Sequence, residues 1–280
     1  MKPFYEWKYT GYEMYPMCLD KGFRIIMKPA SEFNREFICQ VIVKDVNGVQ
    51  HASDFRELNE GSSTEFIEAP TEKGTLYALA EDSGICIDHY EGEDEKIEIP
   101  ASLEGRPVTK IGAYAFAKNK TISAITLPDT VEEIGKEAFC NMKQLTQASL
   151  SKNLKTIGIG AFRYSGLTQI DIPESVESIR RAAFADSALT SADLPEGISL
   201  IGSMPFADCA HLTEIRIGDG NPNYKTADGV LYTADGKVLI QYPCAAADEY
   251  AVPEGTEEIG YGAFSSSGIR EISLPSSLSF

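Results

Sequence analysis

A six-residue phrase, Ile-Gly-x-x-Ala-Phe, recurs along the chain from residue 111 onwards. Four copies are intact, and two, which begin at Ile179 and Ile201, are altered. The copies end on six phenylalanines, Phe116, Phe139, Phe162, Phe184, Phe206 and Phe264. The intervals between these phenylalanines are 23, 23, 22, 22 and 58 residues. Near-constant spacing indicates a repeat architecture, because a unit of this size buries its apolar side only when neighbouring units stack on it.

A second phrase, Leu-x-x-Ile-x-Leu-Pro, alternates with the first. Its copies lie at residues 122–128, 145–150, 167–173, 189–195, 212–217 and 269–275. Apolar residues alternate over its second half, which predicts a short, half-buried strand. The proline ends the strand because it has no backbone donor. Stacked units would form a parallel sheet with the phenylalanines in a column between the layers, and the glycine of the first phrase would let the backbone turn.

The third residue after each phenylalanine is small and mostly polar, which predicts that its side chain bonds to the backbone of the turn. These residues are Asn119, Met142, Ser165, Ser187, Cys209 and Ser267.

The two linked phrases resemble the BspA-type leucine-rich repeats, and the resemblance covers about residues 75–280. It implies a mainly β repeat solenoid, a right-handed coil of the leucine-rich-repeat type with a parallel sheet and inserted β-hairpins. It also implies a protein-binding or adhesive role and a location at the cell surface. The resemblance does not identify a ligand.

Two parts of the chain do not follow the repeat. Residues 1–74 contain a strand-like run and Asn47-Gly48, which favours a hairpin, so we expect a small β-rich domain that caps the solenoid. Residues 75–280 form the solenoid. A hairpin insertion at about 218–252 is indicated by Asp235-Gly236 between two alternating runs. The insertion is expected to decorate the solenoid, and a dedicated binding finger is the alternative.

The chain is acidic, with a formal net charge of −17. Such a surface repels phosphate, which argues against nucleic acid and anionic membranes as partners. The sequence contains no run of 18 apolar residues, so membrane insertion is not predicted. No secretory signal is visible at the N-terminus, which fits the cytoplasm and disagrees with the location that the resemblance implies. The six cysteines are widely spaced, and we expect separate reduced thiols rather than a disulfide framework.

The sequence gives no support for catalysis. The histidines His51, His89 and His211 are far apart, and none lies beside an obvious nucleophile. Residues 219–223 imitate the start of a calcium loop, but Tyr224 replaces the required glycine, so a turn is the better interpretation. We therefore predict no catalytic residues, no cofactor and no metal.

The candidate binding residues lie on either side of the middle apolar residue of each predicted strand, where side chains point outward. They are Gln147, Gln169, Asp171, Ser191, Asp193, Glu214, Arg216 and Glu271. Stacked units would bring them into a ladder that offers a docking face to a protein or glycan. A solvent-exposed sheet without a partner would show the same polar residues, and that alternative stays open.

The favoured function is therefore a non-catalytic interaction protein, adhesin-like or scaffolding. One alternative is a targeting segment attached to an enzyme outside this sequence. Another is an enzyme within residues 1–74, for which His51 is the one plausible base. The chain stops inside a repeat, after Leu278 and Phe280, without a polar cap. This favours either a fragment of a longer protein or self-association through an uncapped C-terminal end that another chain covers.

Overall fold

The structure is a computed structural model that describes residues 66–279 and, before them, the backbone of four strands. Backbone contacts divide the chain into two units, Met1–Ser63 and Thr64–Phe280. The strands of the first unit are β1 (Phe23–Pro29), β2 (Phe37–Lys44), β3 (Gln50–Ala52) and β4 (Arg56–Leu58). β2 pairs antiparallel with each of the other three. The antiparallel pairing of β2 with β3 confirms the hairpin predicted around Asn47-Gly48, although the turn itself lies outside the described residues.

The second unit begins with an antiparallel meander. Its strands are β5 (Phe66–Pro70), β6 (Gly74–Glu81) and β7 (Gly84–Gly92). After β8 (Lys96–Glu98) and β9 (Ser102–Leu103), β10 (Arg106–Ile111) pairs parallel with β7. The last strand of the meander therefore serves as the first layer of the stack that follows.

The first of two parallel ladders is built from the isoleucine of the Ile-Gly phrase. Its strands after β10 are β12 (Glu133–Ile134), β14 (Thr156–Ile157), β15 (Ser178–Ile179) and β17 (Leu200–Ile201). Each pairs parallel and in register with the next, so the isoleucines align. This arrangement confirms the predicted stacking of successive coils.

The second ladder is built from the Leu-x-x-Ile-x-Leu phrase and is interrupted. Its strands are β8, β11 (Ala124–Thr126), β13 (Gln147–Ser149), β16 (Ser191–Leu194), β18 (Glu214–Ile217), β22 (Glu249–Ala251) and β24 (Glu271–Ser273). The strand predicted within residues 167–173 is not formed, so that prediction was wrong. Apolar alternation fixes which side chains point inward, whereas a strand also needs backbone pairing, which the alternation does not encode.

The phenylalanines stack as predicted over five coils. Their ring centroids are 5.4, 5.1, 5.4 and 5.5 Å apart from Phe116 to Phe206. The rings from Phe139 to Phe206 are fully buried. Phe264, the sixth, lies in a second cluster and packs on Tyr242 at 5.2 Å.

Tyrosine replaces phenylalanine where the repeat phrase is lost. In regular coils the phenylalanine amide donates to the carbonyl of the residue before the next phenylalanine, as from Phe139 to Ala161 at 2.8 Å. Tyr90 and Tyr242 make the same bond, to Ala115 at 3.1 Å and to Ala263 at 2.8 Å. Both tyrosines therefore stand at phenylalanine positions, which the spacing of the phrases did not reveal.

Two columns of left-handed residues flank the phenylalanines. The residues two before and two after each phenylalanine all have a positive φ, between 51° and 70°. This geometry turns the amides at these positions toward the next coil, as from Glu137 to Ile159 at 2.7 Å and from Asn141 to Arg163 at 2.7 Å. The turns of Phe116, Phe139, Phe162 and Phe184 are thereby each tied to the next turn by donors before, at and after the aromatic ring.

The glycine of the Ile-Gly phrase has a different role from the one predicted. None of the glycines of this phrase lies in the left-handed region, so a backbone turn does not explain why glycine is required there. They are Gly112, Gly135, Gly158, Gly202 and Gly260. A Cβ on Gly158 would lie 2.6 Å from the carbonyl carbon of Gly135. The glycines are needed because the backbones of neighbouring coils approach too closely for a side chain.

Hydroxyl groups add a further set of bonds between coils. Thr146, Thr190 and Thr213 donate from Oγ1 to the carbonyl at the same position of the preceding coil, over 3.4, 3.3 and 3.0 Å.

The third residue after each phenylalanine behaves differently from coil to coil. Asn119 accepts from the amides of the following turn as predicted, but the buried Ser165 hydroxyl has no partner, so the prediction was wrong there.

The segment after β18 is a meander that rejoins the ladders. Its strands β19 (Tyr224–Ala227), β20 (Val230–Thr233) and β21 (Val238–Gln241) pair antiparallel, with Asp235-Gly236 between the last two as predicted. β21 then pairs parallel with β23 (Glu258–Ile259), and β22 pairs parallel with β24. The predicted insertion at about 218–252 therefore contains two strands that belong to the ladders.

Asn221 holds the start of this meander in place. Its buried side chain donates from Nδ2 to the carbonyls of Glu196 and Ile198, at 2.7 and 2.8 Å. Its Oδ1 accepts from the amides of Asn223 and Tyr224, both at 2.8 Å. The calcium-like sequence is thus a turn, as predicted.

Substitution Gly158→Ala should destabilise the fold by about 1–3 kcal/mol, because the new methyl group forces two backbones apart. Gly197→Ala is the matched control, since its Cβ would meet nothing closer than 3.6 Å, and it should stay within about 0.5 kcal/mol of the original protein. Urea denaturation followed by circular dichroism measures both. Equal midpoints for the two variants would contradict close approach as the reason for the glycine.

Candidate binding surface

The strand face consists of the outward side chains of β8, β11, β13, β16, β18, β22 and β24, together with residues 168–172. The apolar residue between the outward pair is buried in three interior coils, with exposures of 2% for Ile125, 2% for Ala192 and 0% for Ile215, whereas Ala148 and Ile170 are half-buried. Six of the eight predicted binding residues are exposed, and Ser191 and Glu214 are half-buried. Strand alternation therefore assigned the outward direction correctly.

The strand face is divided into separate blocks. Gln147 lies in the first block, beside Ala124. Gln169 and Asp171 lie in the segment that forms no strand. Glu271 lies in the last block, beside Glu249.

The central block, β16 and β18, brings together four of the eight predicted residues. Ser191 is in register with Glu214, and Asp193 with Arg216. Beyond β18 the inserted meander ends the block, because the Ile215 amide donates to the Gly229 carbonyl at 2.9 Å. The predicted continuous ladder is thus broken on both sides of this block.

Arg216 organises the central block. Its Nε and Nη2 donate to the two carboxylate oxygens of Asp193 at 2.6 and 3.2 Å, and its Nη1 donates to Glu214 at 2.5 Å. The hydrogen bond from Arg216 holds the pKa of the Asp193 carboxyl below its usual value, and the Asp193 carboxylate in turn raises the pKa of Arg216. A bidentate pair fixes both planar groups in one orientation.

Some strand-face residues were missed by the sequence analysis. Glu249, on β22, belongs to the second ladder. The signal was Val252-Pro253 followed by Ile259-Gly260, which repeats the end of one phrase and the start of the next. The inserted meander hid it by lengthening the interval between phenylalanines.

The described residues contain no cluster of histidine, cysteine or carboxylate side chains that could hold a metal. A shallow depression of about 320 Å³ lies beside the turns and is lined by Lys143, Tyr164, Asp186 and His211 among others. Two buried serines line it, Ser165 and Ser187, each 4% exposed. The Ser187 hydroxyl lies 3.3 Å from the Cys209 sulfur, and no hydrogen bond between either serine and His211 is present among the described residues.

The four cysteines of the described region, Cys86, Cys140, Cys209 and Cys244, are buried, and no disulfide joins them to one another. Burial raises the pKa of the Cys140 thiol and that of the Cys209 thiol to about 11. Thiolates are the reactive species, so these groups are poor nucleophiles at neutral pH. The expectation of separate thiols holds for these four residues.

Cys140 and Cys209 should react with iodoacetamide very slowly in the folded protein at pH 8, where about 0.1% of a thiol with a pKa near 11 is ionised. Unfolding in urea should restore ordinary labelling within minutes. Mass spectrometry of tryptic peptides follows each cysteine separately. Rapid labelling of either residue before unfolding would contradict the packing described for it.

The last described coil is uncovered on one side. Ile272 is 39% exposed and Leu274 is 48% exposed, whereas Ile125 and Leu127 at the same positions of an interior coil are 2% and 3% exposed. Tyr261 in the same coil is 80% exposed.

No helix of the described region has the length and apolar character to cross a membrane.

A protein-family model for the BspA type leucine rich repeat region matches this chain in six copies, over residues 109–226 and 241–280. A comparison with curated protein sequences found no match.

Solved structures of bacterial repeat proteins are similar to this one. A leucine-rich repeat protein from Eubacterium ventriosum has 19% identity and a TM-score of 0.62, with 76% of this chain and 61% of that chain covered. The pneumococcal vaccine antigen PcpA has 22% identity and a TM-score of 0.58, with 76% and 71% covered. A leucine-rich repeat protein from Bacteroides ovatus has 21% identity and a TM-score of 0.53, with 79% and 54% covered. At these identities the likeness concerns the fold, and this chain spans about three fifths of the first of these proteins.

Proposed function

Because this chain belongs to the BspA-type leucine-rich repeat family, we propose that it is a non-catalytic, adhesin-like interaction protein that binds a protein or glycan through its strand face. The observation that carries the proposal is the central block of β16 and β18. There, outward polar side chains stand on paired strands over a fully packed core.

The stacked coils suit this role because they hold the block rigid. β16 and β18 pair in register over four residues, so partner binding orders few backbone groups of the block. Arg216 is already oriented by Asp193 and Glu214. Because these side chains are already ordered, partner binding at them costs less side-chain entropy than binding at a flexible loop would.

Charge reversal at Asp171 and Asp193 to lysine should reduce partner capture by about tenfold or more, a loss of about 1.4 kcal/mol, because it inverts the charge of one outward residue in the central block and of one in the segment before it. Glu174→Lys with Glu177→Lys is the control with the same change in charge outside the strand face. Both residues are exposed. Immobilised protein is incubated with bacterial and host extracts, and bound material is quantified by mass spectrometry and glycan analysis.

Partners that are retained by the control and lost by the strand-face variant support the proposal. Partners that are retained by both variants would move the binding site elsewhere on the solenoid. Binding that is lost equally in both would show that only the total charge matters.

We further propose that the last described coil associates with a second copy of the chain. The proposal is supported by the exposed Ile272 of β24 and by the exposed Leu274 shortly after it, since among the described residues β24 pairs with β22 alone. An antiparallel pair centred on Ile272 places Glu271 of one copy against Ser273 of the other, so carboxylates do not meet directly.

Light scattering after gel filtration should show a dimer for the unmodified chain and a monomer for Leu274→Glu, since a buried carboxylate without a partner opposes association. Ser276→Glu, at an exposed position nearby, adds the same charge as a control. A monomer at about 0.1 mM for the unmodified chain would refute this second proposal and leave the strand-face proposal intact.

A further inference from the structure

The phenylalanine turns carry positive charge on a protein whose net charge is −17. The phenylalanine-turn face consists of residues 112–120, 135–143, 158–166 and 180–188. These residues include seven basic and two acidic side chains, a net charge of +5. Six of the basic residues are Lys118, Lys120, Lys136, Lys143, Arg180 and Arg181.

One of the two acidic residues of this face is paired. Arg163, the seventh basic residue, bonds to Asp186 with 3.1 Å between Nε and Oδ2, and its guanidinium stacks over the Tyr164 ring at 4.7 Å. Six basic residues then remain against one carboxyl group, that of Glu137.

Four of these cations are available to a partner. Lys120, Lys143, Arg180 and Arg181 are exposed, and among residues 66–279 none of them has a carboxylate within 4.0 Å. Exposed cations are normally scattered among acidic groups on a protein this acidic. A concentration of them on one face indicates a surface that attracts negative charge.

The proline turns show the reverse pattern. Residues 128–133, 151–156, 173–178, 195–200 and 253–258 contain nine acidic and two basic side chains. The two basic residues, Lys152 and Lys155, are paired with Asp129 and Glu132, at 3.6 and 2.7 Å. The charge of the solenoid unit is thus divided by turn type, and the total charge conceals the basic face.

An apolar side chain lies between two of the cations. Lys136, Ile159 and Arg181 each stand three residues before a stacked phenylalanine. Backbone bonds connect their coils in succession, from Glu137 to Ile159 at 2.7 Å and from Gly160 to Arg181 at 3.0 Å. Ile159 is 37% exposed, and so is Tyr164 in the same turn.

We propose that the phenylalanine-turn face binds an extended acidic peptide segment of a partner protein, with an apolar residue between two carboxylates. Alternate residues of an extended peptide face the same side and are separated by about 7 Å. An acidic and an apolar residue at alternate positions then meet Arg181 and Ile159. A second acidic residue lies toward Lys136, which is half-buried with its ammonium over the Tyr114 ring at 5.6 Å. Arg181 and Lys136 are two coil steps apart, about 10 Å at the usual strand spacing. The two acidic residues of the peptide are farther apart, by twice the interval of about 7 Å, and the long side chains of Arg181 and Lys136 cover the difference.

The acidic peptide fits better than a single phosphate group, because the cations are spread over four coils and do not converge on one pocket. It fits better than a sulfated polysaccharide because Ile159 needs an apolar counterpart. The inference rests on the proposed interaction function, but it uses a surface separate from the strand face.

The test measures binding of a fluorescein-labelled peptide with two copies of Asp-Ser-Leu-Ser-Asp by fluorescence polarisation in 50 mM and 300 mM NaCl. Arg180→Glu with Arg181→Glu should weaken binding by about tenfold or more at the lower salt concentration. Higher salt should weaken binding to the unmodified protein, because exposed charges are screened. Ile159→Ser should weaken binding at both salt concentrations.

Lys152→Glu with Lys155→Glu is the control, because it changes the net charge equally at side chains that are 85% and 54% exposed on the proline turns. It should alter the peptide affinity by less than about twofold. Arg180→Gln with Arg181→Gln tests the same contacts without charge reversal, should the first variant fold poorly. A peptide with serine in place of aspartate should not bind.

Equal effects of the two charge-reversal variants, or no binding of the peptide up to about 1 mM, would overturn the inference. Binding of heparin with no binding of the peptide would replace the peptide by a sulfated polysaccharide. The strand-face variants at Asp171 and Asp193 should leave peptide binding unchanged, so failure of this inference and failure of the proposed function are distinguishable.

Discussion

The backbone bonds between successive phenylalanine turns hold the solenoid together. From the turn of Phe116 to that of Phe184, residues in the left-handed region before and after the phenylalanine direct their amides toward the next coil. The aromatic rings then stack at 5.1 to 5.5 Å over five coils. Because neither short phrase can bury its apolar side alone, the fold depends on this coil-to-coil contact at every step.

Much of the solenoid could be predicted because its signals are local and repeated. The interval of 22 or 23 residues and the apolar alternation specify the parallel ladders and the aromatic column. The role of the Ile-Gly glycine could not be predicted, because the close approach of Gly158 to Gly135 is a property of two coils together. The pairing that fails around Gln169 is likewise decided between coils.

The outward direction of the candidate binding residues was predicted correctly, whereas the breaks in the strand face were not predicted. Alternation places Asp193 and Arg216 outward, and their separation of 23 residues already matches the repeat. The meander that begins at Asn221 ends the central block after Arg216. The periodicity of the repeat does not predict where the block ends. The basic face was missed for another reason, since a total charge of −17 says nothing about how charge divides between turn types.

The left-handed columns have a consequence for how such a surface can change. The position two residues after the phenylalanine holds Lys118, Asn141, Tyr164, Asp186, Asp208 and Ser266 in turn. Side chains of very different charge and size are accepted there, and at Lys118, Asn141, Tyr164 and Asp186 the backbone amide makes the bond to the next coil. Valine, isoleucine and threonine occupy none of these columns, as branching at Cβ is strained at positive φ. Substitutions at these positions can therefore change the surface chemistry of the turns one residue at a time and keep these backbone bonds, with β-branched residues and proline excluded.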